Sequence, residues 1–387
     1  MDLNMATNMR KTTALFFIIL SFNSLLAQFE KNIYELDSIE SLLTKEVKEI
    51  LDTNLTNKKV VFLGESHHNS GSDFLAKTEF VKYLVLEKNY KDIAFESDFF
   101  GLYFDHNKDN IFGFWSYSIQ CQELFNFLTE NNVTLWGFDN QFSGPYSYYN
   151  FTNKLTAFLN DNAIKYEEDF TSLIETYIKN RKEANKVLTK TEIKYLINEI
   201  SELLVNKNVM KNALWFQILE SFKSNILINT THKPSKKGIP IRDSQMAKNL
   251  DFLVKTMPEK KFIVWLANAH MAKYEYDFMK GQTMGGQFVN LNPGISYHIA
   301  FSSIFIQNRK KKWIEKTNND ENNLLHFLSS LEKNYFMDSK QIISDNPEYA
   351  EKEYEGMFNL KKSKTNWFKH FDALVFISEG EAVKYPN

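Results

Sequence analysis

Two histidines and a carboxylate stand together in Gly64-Glu65-Ser66-His67-His68, and further acids and a third histidine recur down the chain. Glu96 and Asp98 end the run from Lys91 to Asp98, Asp139 ends Val133 to Asp139, and Asn268 and His270 end Lys261 to His270. Lys77 follows the first cluster, and Arg242-Asp243 precedes the last. These residue types perform acid–base chemistry: an imidazole held by a carboxylate takes a proton from water, and a cation meets the negative oxygen that develops on an attacked carbonyl. The same set suits a divalent metal, because His, Asp and Glu are ordinary ligands. Other chemistries lack their parts. The sequence has no Gly-x-Ser-x-Gly elbow, no His-Glu-x-x-His, no Cys-x-x-Cys and no glycine loop for phosphates or dinucleotides. Its one cysteine, Cys121, falls in an amphipathic helical stretch and is expected to be buried and inert.

Each cluster sits where an apolar run of the buried-strand kind stops, as Val60 to Gly64 does before Glu65. In parallel α/β sheets the helices cover both faces, so ligands reach the carboxyl ends of the strands, and residues on different strand tips converge there. Helical patterns separate the strands: Ser72 to about Asn89, with Ser72 as N-cap; Gln122 to Asn131; and a helix begun by Asp243 as N-cap, with Met246, Leu250, Leu253, Val254 and Met257 on one face. Tyr34 to Leu51 reads as a packing helix, with Asp37 and Glu40 spaced as a capping box. Ile295 to Ile306 and Phe371 to Ser378 are two further strands. The fold expected is α/β, a mostly parallel central sheet flanked by helices. Between about 148 and 229 the chain is Lys- and Glu-rich with apolar residues at helical spacing, a helical insertion expected to cap the strand ends.

The chain has 387 residues, 43% hydrophobic and 24% charged, enough for one large core. A net charge of -2 excludes the dense basic face of a nucleic-acid binder. Residues 1–27 read as a signal peptide: Met9-Arg10-Lys11, an apolar stretch from Ala14 to Leu26, and Ala27 before a cut ahead of Gln28. The domain is then 28–387, exported to the periplasm or secreted, with no membrane attachment after cleavage. A single cysteine allows no internal disulfide.

Together these motifs resemble the erythromycin esterase-like hydrolases. Gly64-Glu65-Ser66-His67-His68 is similar to that family's Gly-Glu-x-x-His signature, and Phe95-Glu96, Gly137-Phe138-Asp139-Asn140-Gln141, Arg242-Asp243-x-x-Met246-Ala247-x-Asn249, Asn268-Ala269-His270 and Phe371-Asp372-Ala373-Leu374 match in order. The resemblance implies a hydrolase of esters or lactones with His68 as general base, Glu65, Glu96 and His270 beside it, and Asp139, Arg242 and Asn268 toward the substrate. Family members open macrolide lactones without an evident metal requirement, so no cofactor is expected and antibiotic resistance is one role to consider. The arginine that the family places nine residues after the base is Lys77 here, which keeps the charge without the two-pronged geometry of guanidinium. Lys77 is expected to meet the oxyanion or a substrate carboxylate; the plainer reading pairs it with Glu96. Arg242 and Asp243 read as an ion pair plus cap, and His106, His232, His298, His326 and His370 as structural or exposed. Two alternatives stay open: a metal-dependent, protease-like hydrolase on the same His and Glu set, and a non-catalytic haem or ligand binder using the aromatic loop Phe99 to Phe104 and His106.

Overall fold

The structure is a computed structural model that describes residues 31–230, 238–275, 283–305, 310–357 and 364–386. The expected signal peptide and His232 lie outside them. No helix among the described residues is long and apolar enough to cross a membrane.

Eight strands form one sheet in the order β1-β7-β8-β6-β2-β5-β3-β4. They are β1 (Ile33–Leu36), β2 (Val60–Glu65), β3 (Asp92–Asp98), β4 (Thr134–Asp139), β5 (Phe262–Ala267), β6 (Ser296–Phe305), β7 (Asn334–Asp338) and β8 (Ala373–Glu379). From β4 across to β8 every neighbouring pair is parallel; β7 runs antiparallel to β8, and β1 antiparallel to β7. The sheet is therefore mostly parallel, as the spacing of apolar runs requires.

Strand residues alternate between two cores, which follows from the two-residue period of side chains. Val60, Phe62, Ala94, Val264 and Leu266 face one layer, built by the helices Pro145–Asp161, Glu168–Asn180, Lys190–Val205, Ala213–Thr230 and Ile239–Thr256. Val61, Leu63, Ile93, Phe95, Ile263 and Trp265 face the other, built by Lys45–Asn54, Gly71–Glu87 and Gln122–Glu130. Both faces are covered, so β2 is apolar throughout until Glu65. Among the described residues, the chain between β4 and the Ile239–Thr256 helix is helical wherever it is regular. One of its helices, Lys190–Val205, opens with a capping box of Thr189 and Glu192. Just beyond β4, Asn140 Nδ2 donates to Ser224 Oγ at 2.6 Å and brings the Ala213–Thr230 helix to the strand's end.

Two helices begin earlier than the sequence reading, Gly71–Glu87 after Ser70 rather than Ser72 and Ile239–Thr256 ahead of Asp243, and three elements differ in kind or place. Residues 33–36 are β1, not the start of a helix; the helix runs Lys45–Asn54 under a cap in which Thr44 Oγ1 accepts from Val47 N. Asp37 and Glu40 have capping-box spacing but flank only a short 3-10 turn, because pairing with β7 claims the residues before them. The strand β7 was not anticipated. Phe99 to Phe104 is not a loop but the helix Phe99–Asp105, imposed by Asp98, whose Oδ1 accepts from Gly101 N at 3.0 Å.

Candidate active site

Glu65, the last residue of β2, is fully buried and carries three partners. His68 Nδ1 lies 3.0 Å from its Oε1, Trp115 Nε1 donates to the same oxygen at 3.2 Å, and the Lys77 ammonium is ion-paired with Oε2. A carboxylate there accepts the Nδ1 proton, which leaves the His68 Nε2 lone pair as the outward nitrogen. That nitrogen makes no hydrogen bond among the described residues, and the side chain is 40% exposed. The ring stacks on Phe114 at 4.4 Å between centroids and stands edge-on to Trp115.

The loop between β2 and the Gly71–Glu87 helix holds this arrangement. Asp73, in the helix's first turn, accepts from Ser66 N at 2.8 Å, from Ser66 Oγ at 2.7 Å and from Ser303 Oγ of β6 at 2.5 Å. Gly64 is required by close approach: a Cβ would stand 2.4 Å from Asn268 Oδ1 and 2.7 Å from the end of Met271.

Lys77 does not reach the surface. It is fully buried, its Nζ donates to Leu266 O at 3.3 Å, and the ammonium lies 3.7 Å from the centre of the Trp265 ring. Burial pulls its pKa down from the usual lysine value, and the Glu65 carboxylate opposes the fall. So enclosed, it cannot meet an oxyanion or a substrate, and its carboxylate is Glu65 rather than Glu96. Both expectations for Lys77 are corrected.

Arg242 serves Glu96 instead. Its Nη2 donates to Glu96 Oε1 at 2.7 Å and to Asp139 Oδ2 at 2.6 Å, and its Nε donates to Asp139 Oδ1 at 3.2 Å. This is the fork geometry that a guanidinium offers and an ammonium lacks. Glu96 Oε2 accepts from Ala267 N at 3.1 Å, which ties the tip of β3 to that of β5. A register shift in β3 between Phe95 and Asp98 turns Glu96 toward β5, and Gly137 permits it: a Cβ there would lie 2.3 Å from Asp98 O and 2.6 Å from Ser97 O. Burial would raise the Glu96 carboxyl, but His270, Arg242 and His68 overcome it and hold the group down at about 2. Burial raises Asp139, against the pull of Arg242.

Asp243 is not a cap, since the helix begins at Ile239, and it is not the partner of Arg242. Its Oδ1 is 2.8 Å from His270 Nδ1 and its Oδ2 accepts from Met284 N at 2.9 Å. On the other side of the ring, His270 Nε2 lies 3.2 Å from Arg242 Nη1 and 3.5 Å from Glu96 Oε1. Arg242 can donate only to a neutral His270, and Glu96 can accept only from one that carries the Nε2 proton, so the two contacts belong to two protonation states. Burial lowers the His270 pKa, Asp243 and Glu96 raise it by more, and the net displacement is upward. Arg242 and His270 keep 16% and 13% of their side chains exposed, so both reach the surface beside the strand tips.

The structure thus brings Glu65, His68, Glu96, Asp139, Arg242 and His270 to one edge of the sheet. Asn268 is fully buried beneath it, its Nδ2 donating to Phe301 O at 2.8 Å, and supports the tips of β2, β5 and β6 rather than facing solvent. His67 is exposed, and its Nδ1 accepts from Asn69 N. His106 lies 2.9 Å from Leu135 O and edge-on to Trp136, away from the strand tips. His298 is stacked under Phe62, with its pKa lowered to about 3 by burial. Burial pushes the Cys121 thiol up to about 12. Sequence reasoning missed Phe114 and Trp115, whose only signal was an aromatic cluster after β3, and Asp73, which joins nearby Ser66 to Ser303, 230 residues away. Among the described residues no three His, Cys, Asp or Glu side chains are grouped to hold a metal ion.

A parallel sheet with a carboxylate-held histidine on one strand tip and an arginine-bridged acid cluster on the next tips defines the class of fold and site. The chain belongs to the erythromycin esterase family: residues 104–308 match that family's sequence profile, described as Erythromycin esterase. "Putative hydrolase YbfO" of Bacillus subtilis is 26% identical over 266 residues, 58% of this chain and 59% of that protein. The match therefore spans less than two thirds of the relative's length. A Bacillus cereus protein of solved structure superposes with a TM-score of 0.72 over 94% of this chain and 99% of its own at 16% identity. An erythromycin esterase mutant, EreC, in its open conformation does so at 0.67, over 90% and 98%, at 15% identity. Those two likenesses concern the fold.

Proposed function

We propose that this protein is an exported hydrolase that cleaves an ester or lactone in a small molecule by attack of water activated at His68. One observation carries the reading: buried Glu65 takes the Nδ1 of a His68 side chain that is 40% exposed and whose Nε2 makes no hydrogen bond among the described residues. Nε2 removes a proton from water as the oxygen bonds to the carbonyl carbon, and Glu65 stabilises the imidazolium that forms. Arg242 and His270, both partly exposed, supply donors for the carbonyl oxygen as it becomes negative. Collapse of that intermediate breaks the acyl C–O bond, and the imidazolium returns its proton to the departing alkoxide. Membership of the erythromycin esterase family supports a hydrolase. Export rests on the leader-like residues 1–27.

The test is a panel of esters, lactones and amides given to the purified protein, with and without a chelator, and to His68→Gln. Ester or lactone cleavage that survives chelation and is lost in the variant is expected. Loss on chelation would favour the metal-dependent reading, and hydrolysis at full rate by His68→Gln would end this one. Mass measurement of the exported protein, expected to begin at Gln28, checks the leader.

A further inference from the structure

The segment Gly380–Lys384, which follows β8, lies across the two pieces of chain that flank His68. On the catalytic-loop side, Gly71 N donates to Glu381 O at 2.8 Å, Glu381 N donates to Ser72 Oγ at 2.7 Å, and Val383 N donates to Asn69 O at 3.1 Å. On the aromatic side, Ile119 N donates to Lys384 O at 2.8 Å. Gln120 completes the seam: its Nε2 donates to Glu381 Oε1 at 2.8 Å and to Ala382 O at 3.2 Å, and its Oε1 accepts from Lys384 N at 3.0 Å. Gln120 is buried, and so are Ser70 and Ser72.

What this seam joins is specific. Asn69 is the residue after His68, and Gln120 closes the turn after Phe114 and Trp115, the two rings that touch His68. Neither flank is held to the other by a strand ladder, because β2 ends at Glu65 and β3 pairs only with β4 and β5. Asp73 fixes the beginning of the loop through Ser66, and Ser70 Oγ donates to Ser303 Oγ of β6 at 3.2 Å; Asn69 O, Gly71 N and Ser72 Oγ are bonded to this segment.

We infer that Gly380–Lys384 is a positioning strap for the reactive imidazole, with Val383 and Gln120 its two anchoring residues: it fixes the distance between the His68 loop and the Phe114–Trp115 wall, and thereby the aim of Nε2. Neither residue touches the reacting atoms. The strap acts through Asn69 on one side and through the aromatic turn on the other. A displaced base keeps its chemistry and loses its alignment, and misplacement by about 1 Å costs on the order of 10²-fold in rate. This inference rests on the proposed role of His68 as base, and the experiment separates the two.

Val383→Pro removes the N–H that holds Asn69 O, while Val383→Ala keeps it; Gln120→Ala removes the other anchor without touching the loop backbone. Each is compared with the unaltered chain for melting temperature, for kcat and KM on a cleaved ester, and for the rate at which diethyl pyrocarbonate modifies His68, read by peptide mass. Val383→Pro and Gln120→Ala are expected to lower kcat by about 10- to 10²-fold with KM little changed, and to speed His68 modification several-fold; Val383→Ala is expected to behave like the parent. Unchanged modification of His68 in folded Val383→Pro and Gln120→Ala overturns the strap whatever the protein hydrolyses. A kcat fall of equal depth in Val383→Ala does so too, since the N–H is then irrelevant. Faster modification in the two anchor variants of a protein that cleaves no ester or lactone supports the strap and defeats the proposed function. If Val383→Pro does not fold, Gln120→Ala gives the same readings.

Discussion

Lys77 is ion-paired with Glu65, and both side chains are wholly buried. This one contact reassigns the chain's cations. A lysine expected to face the substrate is a counter-ion beneath the general base, and the cationic edge falls to Arg242, from the first turn of the Ile239–Thr256 helix, and to His270, just beyond β5. The result is two linked assemblies. In one, Lys77 and Trp115 hold Glu65, which holds His68; in the other, Arg242 and Asp243 hold Glu96 and His270.

Removing the base gives the simplest prediction. His68→Gln is expected to lower turnover by about 10²-fold or more, because a positioned general base contributes at least that much. His67→Ala is expected to be mild, since His67 is exposed and its Nδ1 closes a local turn with Asn69 N. Steady-state rates on one ester decide both. A loss in His67→Ala as deep as in His68→Gln would point to a site built on two histidines.

The sheet and the convergence of strand tips were legible because buried parallel strands are continuous apolar runs, and the reactive residues interrupt them at their ends: Glu65 after Leu63-Gly64, Glu96 after Phe95, Asp139 after Phe138. Partners were not legible. Which acid Lys77 meets depends on how far the Gly71–Glu87 helix is rotated over β2 and β5, a tertiary quantity that spacing does not carry. Asp243 looked like a cap because Asp favours helix starts, yet the helix begins before it and the side chain is drawn to His270. The strand β7 was missed because Asn334–Asp338 is short and lies among helical stretches, with nothing in its own five residues to fix its pairing.

The Lys77 reassignment predicts a stability effect. Lys77→Met leaves the Glu65 carboxylate buried without its cation, a loss of about 3 to 5 kcal/mol for a broken buried pair. Adding Glu65→Gln removes the stranded charge, so the double variant is expected to regain most of the stability while remaining poorly active, since the amide introduced at that position no longer offers His68 a carboxylate. Denaturant melts of both proteins test this; equal instability in the single and double variants would contradict the pairing.

Gly137 carries the bulge of β3 that aims Glu96. Gly137→Ala places a methyl group 2.3 Å from Asp98 O, a backbone atom that cannot step aside without unmaking the bulge. The expected cost is about 1 to 3 kcal/mol, the usual range for an overpacked site, with a fall in activity as Glu96 leaves Arg242 and Ala267. A variant of parental stability and activity would show that the β3 tip adapts freely.

The acid cluster predicts opposite pH responses at its two ends. Glu96 is held at about 2 against an ordinary 4.5, so its charge stabilises the fold fully above about 4.5 and the contribution is lost as pH falls through about 2. A carboxyl lowered that far is linked to stability on the order of 3 kcal/mol. His270 is displaced upward from 6.5, so its contribution is complete below 6.5 and is lost as pH rises through the folded value. At that same point the ring gives up its Nε2 proton, its contact with Glu96 lapses, and Arg242 Nη1 becomes the donor to it. Melting temperatures of the parent and of Glu96→Gln, taken from pH 2 to 7, are expected to differ most near neutrality and to converge toward pH 2. The difference between the parent and His270→Gln is expected to be widest below 6.5 and to shrink as pH rises above it through the folded value. A gap that stays constant across pH for either variant would mean that the residue contributes shape and not charge.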